Sequence, residues 1–403
     1  MRELWDTLED ELGAKFAYDK QLQSDIRRLS RGFTEERGEL DIKYLSDVRL
    51  RSAYLAYYVP LNFHKVRVII EAHSRQLWPS VPETEQRWVD FGCGPAATGT
   101  LAALAVLKTR AKNKLPKITI DLVDNQHQAL DLAEGIVIDF AERLGIEVSV
   151  NVSEKTPKKS YDLAIAANVL NELPPEDGSK ARDMLLDLWD KTEGTLVVLE
   201  PGHRVSSQRL VRFRERLLKE TPKGETNAAE VLGPCAHAET CPVYRTKNWC
   251  HFSEPGNDDR LREFNLAVFQ NPRGWLKFSY FIVKRGKSTV WDKKTFRAIG
   301  DLHMSQGRTA IDLCKPNTKY QLRLPMHIPT ALGQDLVRGA MVTLEGETVK
   351  RSVPMSVRVP KPVSKPRSAV TPNSKRAVVK PVSKRAVVTP RGESSRPPRK
   401  KPR

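Results

Sequence analysis

The sequence predicts an α/β protein of the doubly wound, Rossmann-like class, and three observations support this prediction. A short apolar strand, RWVD, ends at Asp90 and leads directly into a glycine-rich turn. An alanine-rich helix begins near Thr98, immediately after that turn. Three further apolar segments then alternate with helical segments as far as residue 203. This alternation is typical of a parallel sheet covered by helices.

The region before the first strand, residues 1–80, is expected to be helical. Its first segment, MRELWDTLEDELGAKF, has apolar residues at helical spacing. The same segment is acidic, which argues against a mitochondrial transit peptide, and it lacks the apolar core of a signal peptide. No apolar run approaches the roughly 20 residues of a membrane-spanning helix. We therefore expect a cytoplasmic protein with no membrane partner.

The glycine-rich turn, DFGCGPAATG, is the first candidate binding element. Gly92 and Gly94 allow the backbone to approach a ligand closely, and the following helix offers unpaired amides to it. Ala96 stands where a third glycine would be expected. The next strand, ITIDLVD, ends at Asp124, which is placed to accept hydrogen bonds from ribose hydroxyls. Together with Asp90, these residues form the predicted cofactor-binding set.

Two later strands, YDLAIAANVLNEL and GTLVVLEPGH, end in polar residues at the sheet edge where such folds bind ligands. Asn168 is a further candidate cofactor contact. Asn168, Asn171 and Glu200 are candidates for positioning the acceptor of a reaction. Helix capping or turn formation explains the two asparagines equally well. For Glu200, which precedes Pro201, the alternative is an ordinary structural role in a loop.

The chain shows no second mononucleotide-binding half, so S-adenosylmethionine fits the turn better than a dinucleotide does. The predicted fold is therefore that of a class I S-adenosylmethionine-dependent methyltransferase. We assign residues 81–290 to this domain. A DPPY-like tetrad, which would indicate methylation of an amino group on a base, is absent.

Three of the five cysteines, Cys235, Cys241 and Cys250, lie in one polar segment that we interpret as an insert at residues 221–260. Such a cluster suits an iron-sulfur cluster or zinc. The gaps of five and eight residues match neither zinc knuckles nor common ferredoxin spacings. The neighbouring His237 keeps a mixed zinc site open.

His251 supports the same zinc alternative. Cysteines buried as small apolar residues would require a core pattern, and this segment has none. Disulfides are disfavoured because nothing marks the chain as secreted. The sequence therefore predicts a metal-binding insert whose metal is open between iron-sulfur and zinc.

A helix, SSQRLVRFRERLLKE, precedes these cysteines, and its arginines suggest either an rRNA contact or an ordinary solvated face. The basic face comprises Arg209, Arg212, Arg214 and Arg216. After the insert, KFSYFIVKR and YQLRLP read as strands by their β-branched and aromatic content. We expect a small β-rich region at residues 291–350.

The net charge of +18 is concentrated at the end of the chain. Residues 351–403 contain sixteen lysines and arginines against one glutamate, and SKRAVV occurs there at Ser374 and again at Ser383. We expect this tail to be disordered and to bind nucleic acid in a strongly salt-dependent way, with a solubilising role as the alternative. No lipidation motif accompanies the charge, which argues against a membrane surface.

Several motifs, in order along the chain, resemble one protein family. They are YLSDVRLRSAYLAYYVPLNFHKV, DFGCGPAATG, AANVLNEL, LEPGH, PCAHAETCP, NWCHFSEP and KFSYFIVKR, followed by the late Cys314. The chain resembles the methyltransferase-like assembly factors of the small ribosomal subunit, which occur on mitochondrial ribosomes and in bacteria. The resemblance extends from about residue 40 to about residue 320.

The resemblance implies a four-iron, four-sulfur cluster held by Cys235, Cys241, Cys250 and Cys314, with S-adenosylmethionine in the DFGCGP pocket. It implies a monomer whose partners are the rRNA and proteins of the small ribosomal subunit. The expected function is an S-adenosylmethionine-binding, iron-sulfur methyltransferase-like protein that acts on rRNA in small-subunit assembly or translation. One alternative is a non-catalytic assembly factor that uses the fold for binding. The other is a zinc-stabilised small-molecule methyltransferase.

Overall fold

The structure, a computed structural model, describes most of the chain as far as residue 353. The chain divides into two units, Met1–Val359 and Pro360–Arg403, and every described residue belongs to the first. The predicted basic tail therefore lies outside the described residues from residue 354 onward. The described ranges are 1–13, 20–34, 44–111, 115–173, 178–221, 228–244, 246, 249–256, 258–270, 275–286, 294–305, 308–324, 335–346 and 348–353.

An eight-stranded mixed sheet forms the centre of the protein. Its strand order is β3-β2-β1-β4-β5-β8-β6, and β7 also pairs with β8. Strands β1 to β5 are parallel, whereas β8 runs antiparallel to β5, β6 and β7. This order confirms the predicted Rossmann-like α/β methyltransferase fold. The strands are β1 (Gln86–Phe91), β2 (Ile118–Val123), β3 (Val148–Ser153), β4 (Tyr161–Ala167), β5 (Thr192–Pro201), β6 (Ala229–Gly233), β7 (Phe252–Pro255) and β8 (Trp275–Arg285).

Helices cover both faces of this sheet, because its parallel strands are apolar on both sides. On one face, Leu101 and Phe140 belong to the larger hydrophobic core. On the other face, Trp189 and Phe213 pack against Val198 of β5 in a separate core. The covering helices are α5 (Thr98–Arg110), α6 (His127–Leu144), α7 (Gly178–Asp190), α8 (Arg204–Glu220) and α9 (Asp259–Phe269).

In the described part of the chain before β1, four α-helices share the larger core. They are α1 (Arg2–Leu12), α2 (Lys20–Thr34), α3 (Val48–Ala53) and α4 (Val59–Leu77). Asp47 caps α3 by accepting hydrogen bonds from two backbone amides. A single π-helical turn, Tyr54–Tyr58, joins α3 to α4. Such turns occur mostly at functional sites, and this one faces the cavity described below.

A second sheet of six strands follows the first. Its order is β10-β11-β9-β13-β14, and β12 pairs with β11. The buried guanidinium of Arg297 on β9 joins this sheet to the end of β6, because it donates to the carbonyl oxygens of Pro234 and Gly339 at 2.7 Å each. The strands are β9 (Thr295–Ala298), β10 (His303–Ser305), β11 (Arg308–Lys315), β12 (Thr318–Leu324), β13 (Met341–Glu345) and β14 (Thr348–Val353).

Within the described ranges, no helix combines the length and the apolar character that crossing a bilayer demands.

Candidate functional site

The glycine turn after β1 has a backbone that only glycine adopts readily. Gly92 and Gly94 have φ angles of 66° and 60°, in the left-handed region. A Cβ atom on Gly92 would overlap the side chain of Val169. A Cβ atom on Gly94 would meet nothing within 4 Å, so the backbone there faces open space. The turn is therefore held tightly on one side and left accessible on the other.

Asp124, directly after β2, fixes this turn. One carboxylate oxygen accepts a hydrogen bond from the amide of Gly94 at 2.9 Å, and the other accepts from the amide of Gln126 at 3.1 Å. Burial raises the pKa of Asp124 above its ordinary value. The side chain is half-buried, and it lies where the carboxyl ends of β1 and β2 meet.

Asp90 makes a structural contact at the start of α5. Its carboxylate is buried and accepts a hydrogen bond from the amide of Thr100 at 2.8 Å. Burial raises its pKa to about 7. Asp90 therefore supports the first turn of α5. Its predicted contact with a cofactor stays a prediction.

Asn168 follows β4 and lies beside the glycine turn. Its φ angle is 61°, and its amide donates to the carbonyl of Leu199 at 2.8 Å. Its side-chain Nδ2 atom is buried and has no hydrogen-bond partner among the described residues. A buried donor without a partner is costly, and the atom is available to a ligand that offers an acceptor.

Glu200 and Asn171 stabilise the loop that carries Asn168. Glu200 is fully buried, and its Oε1 atom accepts a hydrogen bond from the amide of Leu170 at 2.8 Å. Asn171, with its amide nitrogen turned toward its neighbours, donates to Glu200 Oε2 at 3.3 Å and to the carbonyl of Asn168 at 2.6 Å. Burial raises the pKa of Glu200 to about 8. Glu200 therefore positions the loop from behind.

The arginines of α8 differ from the single basic face expected from the sequence. Arg209 is buried and donates to the carbonyls of Leu170 and Leu173, the second at 3.0 Å. Arg214 is also buried and points into the cysteine segment. Arg212 and Arg216 are exposed. Two of the four predicted surface arginines are thus internal, because loops pack over α8 and their carbonyls need donors.

A cavity of about 450 Å³ opens at the carboxyl ends of β4 and β5. Its volume falls in the range of small-molecule sites. Rings from the N-terminal helices line one side: Phe33, Tyr44, Tyr54 and Tyr58. We call this the aromatic cavity. Tyr44, Tyr54 and Tyr58 belong to the motif YLSDVRLRSAYLAYYVPLNFHKV, in which the sequence predicted no site residue.

Polar groups converge on the aromatic cavity from two directions. Asn62 hydrogen-bonds with the Tyr54 hydroxyl and accepts a hydrogen bond from Lys65 at 3.2 Å. Asn168 and Asn171 face it from the sheet side. The loop after β4 therefore lies between the glycine turn, where Val169 packs against Gly92, and the cavity that the N-terminal helices enclose.

Glu172 is the carboxyl group that lines this cavity within the described residues. Its side chain is solvent-exposed, and partial desolvation by the neighbouring protein, followed by the charge of Asp124, raises its pKa to about 7. Burial also raises the pKa values of Tyr44 and Tyr54, and Glu172 contributes to both shifts. A carboxyl group with a pKa near neutrality can either hold or release a proton at physiological pH.

A second cavity lies between the two sheets, and all four predicted ligands line it: Cys235, Cys241, Cys250 and Cys314. Cys235 follows β6, Cys250 precedes β7, and Cys314 lies on β11. Arg214 donates to the carbonyls of His237 and Glu239, each at 2.8 Å, and its charge interacts with Cys235 and Cys241. We call this the cysteine cavity.

The two histidines of the zinc alternative differ in position. His237 is buried, and its Nε2 atom lies 3.2 Å from the sulfur of Cys314. His251 instead stacks on Trp249, with 5.5 Å between ring centroids, and it is not part of the cavity wall. Of these two histidines, His237 is therefore the one that lies beside a cavity thiol.

The structure does not confirm a metal-coordination site in the predicted insert. Within the parts of the chain that the structure describes, no group of three or more His, Cys, Asp or Glu side chains could hold a metal ion. Burial, and then the charge of Cys235, raises the pKa of Cys241 to about 12 and those of Cys250 and Cys314 still further. Neutral thiols pack as small apolar groups and have no attraction that draws them to coordination distance.

Comparison with protein families identifies one match. The family model described as mitochondrial small ribosomal subunit Rsm22 matches residues 49–327, which is more than half of the chain. The matched region includes the glycine turn, the loop after β4 and all four cavity cysteines. No curated protein sequence matches the chain at a significant level.

Solved structures similar to the chain are methyltransferases. One is magnesium protoporphyrin IX methyltransferase from Synechocystis PCC 6803 with bound S-adenosylmethionine, at 10% identity and TM-score 0.32, covering 65% of this chain and 97% of that one. Another, from Pyrococcus furiosus, has 14% identity, TM-score 0.29, and coverages of 53% and 83%. Human methyltransferase 10 domain containing protein has 12% identity, TM-score 0.28, and coverages of 55% and 81%. At these scores, the fold assignment rests on the strand order itself.

Proposed function

The chain belongs to the Rsm22 family of the mitochondrial small ribosomal subunit, and we propose that it binds S-adenosylmethionine and acts on the rRNA of a small ribosomal subunit. The observation that carries this proposal is the position of the loop after β4, whose Val169 packs against Gly92 of the glycine turn and whose Asn168 lines the aromatic cavity. A methyl donor and an acceptor can meet there, at the carboxyl ends of the parallel strands, where doubly wound sheets bind ligands.

The residues around the turn fit S-adenosylmethionine. The open space at Gly94 allows a ligand to approach the backbone, and the half-buried Asp124 is placed to accept hydrogen bonds from ribose hydroxyls. The unpaired Nδ2 atom of Asn168 would donate to an acceptor on the same ligand. When bound, this cofactor supplies an electrophilic methyl group.

The remaining chemistry is assigned to side chains of the aromatic cavity. The rings of Tyr44, Tyr54 and Phe33 exclude water and present flat surfaces to a heterocyclic acceptor. Glu172, whose pKa is about 7, would take the proton that an acceptor nitrogen releases. Glu200 and Asn171 would hold the Asn168 loop in position and would not contact the acceptor.

We further propose that Cys235, Cys241, Cys250 and Cys314 hold a four-iron, four-sulfur cluster. Two features support this assignment: the four thiols line one cavity, and the guanidiniums of Arg214 and Arg297 also line it. A positively charged metal centre would stabilise the thiolate forms of these side chains, which burial otherwise disfavours. The cluster would link β6, β7 and β11, which belong to two different sheets.

The proposal is tested with anaerobically purified protein and radiolabelled S-adenosylmethionine. We expect saturable cofactor binding, and methyl transfer to rRNA within immature small subunits. Asn168→Ala should weaken cofactor binding roughly tenfold, as expected for one lost hydrogen bond, and Glu172→Gln should retain binding but lose transfer. Absence of cofactor binding in the wild-type protein would refute the proposal.

A non-catalytic assembly factor is the second candidate. It is favoured by the engagement of Asn171 and Glu200 in structural hydrogen bonds, which leaves Glu172 as the carboxyl group that lines the cavity within the described residues. Cofactor binding and small-subunit association without transfer would support this candidate. Bound zinc with no ribosomal association would instead support a small-molecule methyltransferase.

The cellular location is part of the same test. The matched family is described as mitochondrial, so the cytoplasmic location expected from the sequence stays a prediction. Fractionation of cells that produce the tagged full-length chain would show which ribosomes it accompanies.

A further inference from the structure

The outer face of α8 carries basic side chains along one side of a groove of about 1040 Å³. Arg204, Arg212, Arg216 and Lys219 are exposed and line this groove. The start of α7 and residues between 238 and 246, including Tyr244 and the exposed Glu239, also line this groove. The guanidinium of Arg212 lies against Gly178, the first residue of α7. We call this surface the basic groove.

Much of the positive charge in the basic groove is not neutralised by the protein. Arg216 pairs with Glu220, and the buried Arg214 pairs with Glu215. Arg204, Arg212 and Lys219 form no ion pair with any described carboxylate, and all three are exposed. A groove that keeps free cations on one wall is complementary to a phosphate backbone.

Two exposed tryptophans lie at or near the aromatic cavity. Trp275 is 61% exposed and lines the cavity beside Lys277. Trp249 is 37% exposed, stacks on His251, and donates from its indole nitrogen to the carbonyl of Gly202, a residue of the cavity lining, at 3.1 Å. Exposed aromatic rings are typical stacking surfaces for unpaired bases.

The basic groove and the aromatic cavity meet at the start of α8. Gly202 and His203 line the aromatic cavity, and the next residue, Arg204, lines the basic groove. Trp249 is tied to Gly202 at this junction. A ligand that follows the arginines of α8 therefore reaches the mouth of the cavity without leaving the surface.

From this continuity we infer that the protein binds an unpaired RNA strand, with its phosphates along the basic groove and one base passing the tryptophans into the aromatic cavity. This inference rests on the proposed function and specifies its substrate class. Stacking on Trp249 and Trp275 requires bases that are not already paired, and the cavity has the size for one base rather than a helix. A duplex can make only the phosphate contacts with the basic groove, because its paired bases cannot stack on the tryptophans.

The electrostatic part is tested with the full-length chain and an unstructured RNA of about 16 nucleotides. The variant Arg204→Gln/Arg212→Gln/Lys219→Gln should bind this RNA more weakly than the wild type. Its slope of log affinity against log salt should be smaller in magnitude by about 2, because three phosphate contacts are lost. The basic tail is present in both proteins, so the difference reports on the groove.

The matched control is Arg87→Gln/Lys108→Gln/Lys117→Gln. These three exposed cations lie near the amino ends of β1 and β2, at the opposite edge of the sheet, and their removal changes the net charge equally. We expect the control to retain nearly the wild-type salt slope. Equal losses in both triple variants would overturn the inference, since binding would then depend on total charge alone.

The stacking part is tested with Trp249→Ala and Trp275→Ala. Each should weaken binding of the unpaired RNA roughly tenfold or more, and should leave a hairpin duplex of the same composition almost unaffected. Trp249→Phe and Trp275→Tyr should restore most of the affinity, because they keep a ring. Equal effects on both RNAs, or none on either, would overturn the inference. Retained S-adenosylmethionine binding and small-subunit association would show that the proposed function itself survives.

Discussion

At the scale of single residues, the structure assigns different tasks to polar side chains that look alike in the sequence. Asp90 and Asp124 both end strands, yet Asp90 is buried beneath α5 and Asp124 holds the glycine turn. Asn168 offers a free donor, whereas Glu200 is buried behind it. The residue types were predictable from the motifs. Their orientations depend on neighbours that belong to other strands.

Gly92 gives the first prediction. Gly92→Ala should lower the free energy of unfolding by about 2–5 kcal/mol, because alanine would be strained at its positive φ and would overlap Val169. Thermal or denaturant unfolding measures the change. As a control, Gly135→Ala in α6 should raise stability by up to about 1 kcal/mol, since its Cβ would meet nothing within 4 Å. An unchanged stability for Gly92→Ala would contradict the turn geometry.

Glu200 gives a pH-dependent prediction. Its pKa is raised from 4.5 to about 8, so the folded protein retains a proton that the unfolded chain releases near pH 4.5. The protonated Glu200 therefore favours folding at low pH. As the pH rises toward 8, this contribution to the free energy of unfolding decreases by at most about 1.4 kcal/mol per pH unit. In Glu200→Gln, the part of the pH dependence of the unfolding free energy that Glu200 causes should disappear.

Denaturant unfolding measured between pH 5 and pH 9 would check this effect. Glu193→Gln, which alters an exposed carboxylate on the same strand, serves as the control and should leave the profile as in the wild type. Parallel profiles for the wild type and Glu200→Gln would show that the Glu200 carboxyl is not protonated in the folded protein.

At the scale of secondary-structure elements, the four cavity cysteines lie between the two sheets. Their positions after β6, before β7 and on β11 place them in one cavity, although β11 belongs to the second sheet. The spacing of the first three cysteines alone left the metal open. Cys314 was identified through the family resemblance, because no local pattern connects it to a segment more than sixty residues earlier.

Removing a cavity cysteine should affect both the metal and the connection between the sheets. Cys314→Ser is expected to lose iron and labile sulfide from anaerobically purified protein and to make the second sheet more sensitive to proteases, because ligation contributes folding free energy. Metal analysis, visible absorption and limited proteolysis provide the measurements. Cys93→Ala, at a buried cysteine in the glycine turn, should retain both metal and protease resistance. A colourless wild-type protein that contains zinc would argue against the cluster.

At the scale of the whole molecule, charge and fold are separate properties. The described residues form the two sheets and their helices, while most of the net charge lies in residues 351–403. The basic groove adds a localised positive surface near the cavity. Attraction to nucleic acid and selection of a particular strand are therefore expected to depend on different parts of the chain.

A truncated chain tests this separation. Ending the protein after residue 359 should weaken binding to any nucleic acid and reduce its salt dependence, because the removed residues carry fourteen cations and one glutamate. The ratio of affinities for unpaired and duplex RNA should stay within about twofold of the full-length value if the tail reads only phosphate charge. Titrations at several salt concentrations would show this. A preference that vanishes with the tail would place strand selection there instead.

The fold class, the glycine turn and the acidic residue after β2 were predictable from the sequence. These features depend on local signals, such as apolar runs and glycines, that persist wherever the segment folds. Only the folded protein shows that Arg209 and Arg214 are internal, that Glu200 lies behind its loop, and that N-terminal tyrosines enclose the cavity. Each of these outcomes depends on which distant carbonyl, carboxylate or ring packs against the side chain. Periodicity along the chain does not encode such contacts, because they form only when separate elements come together.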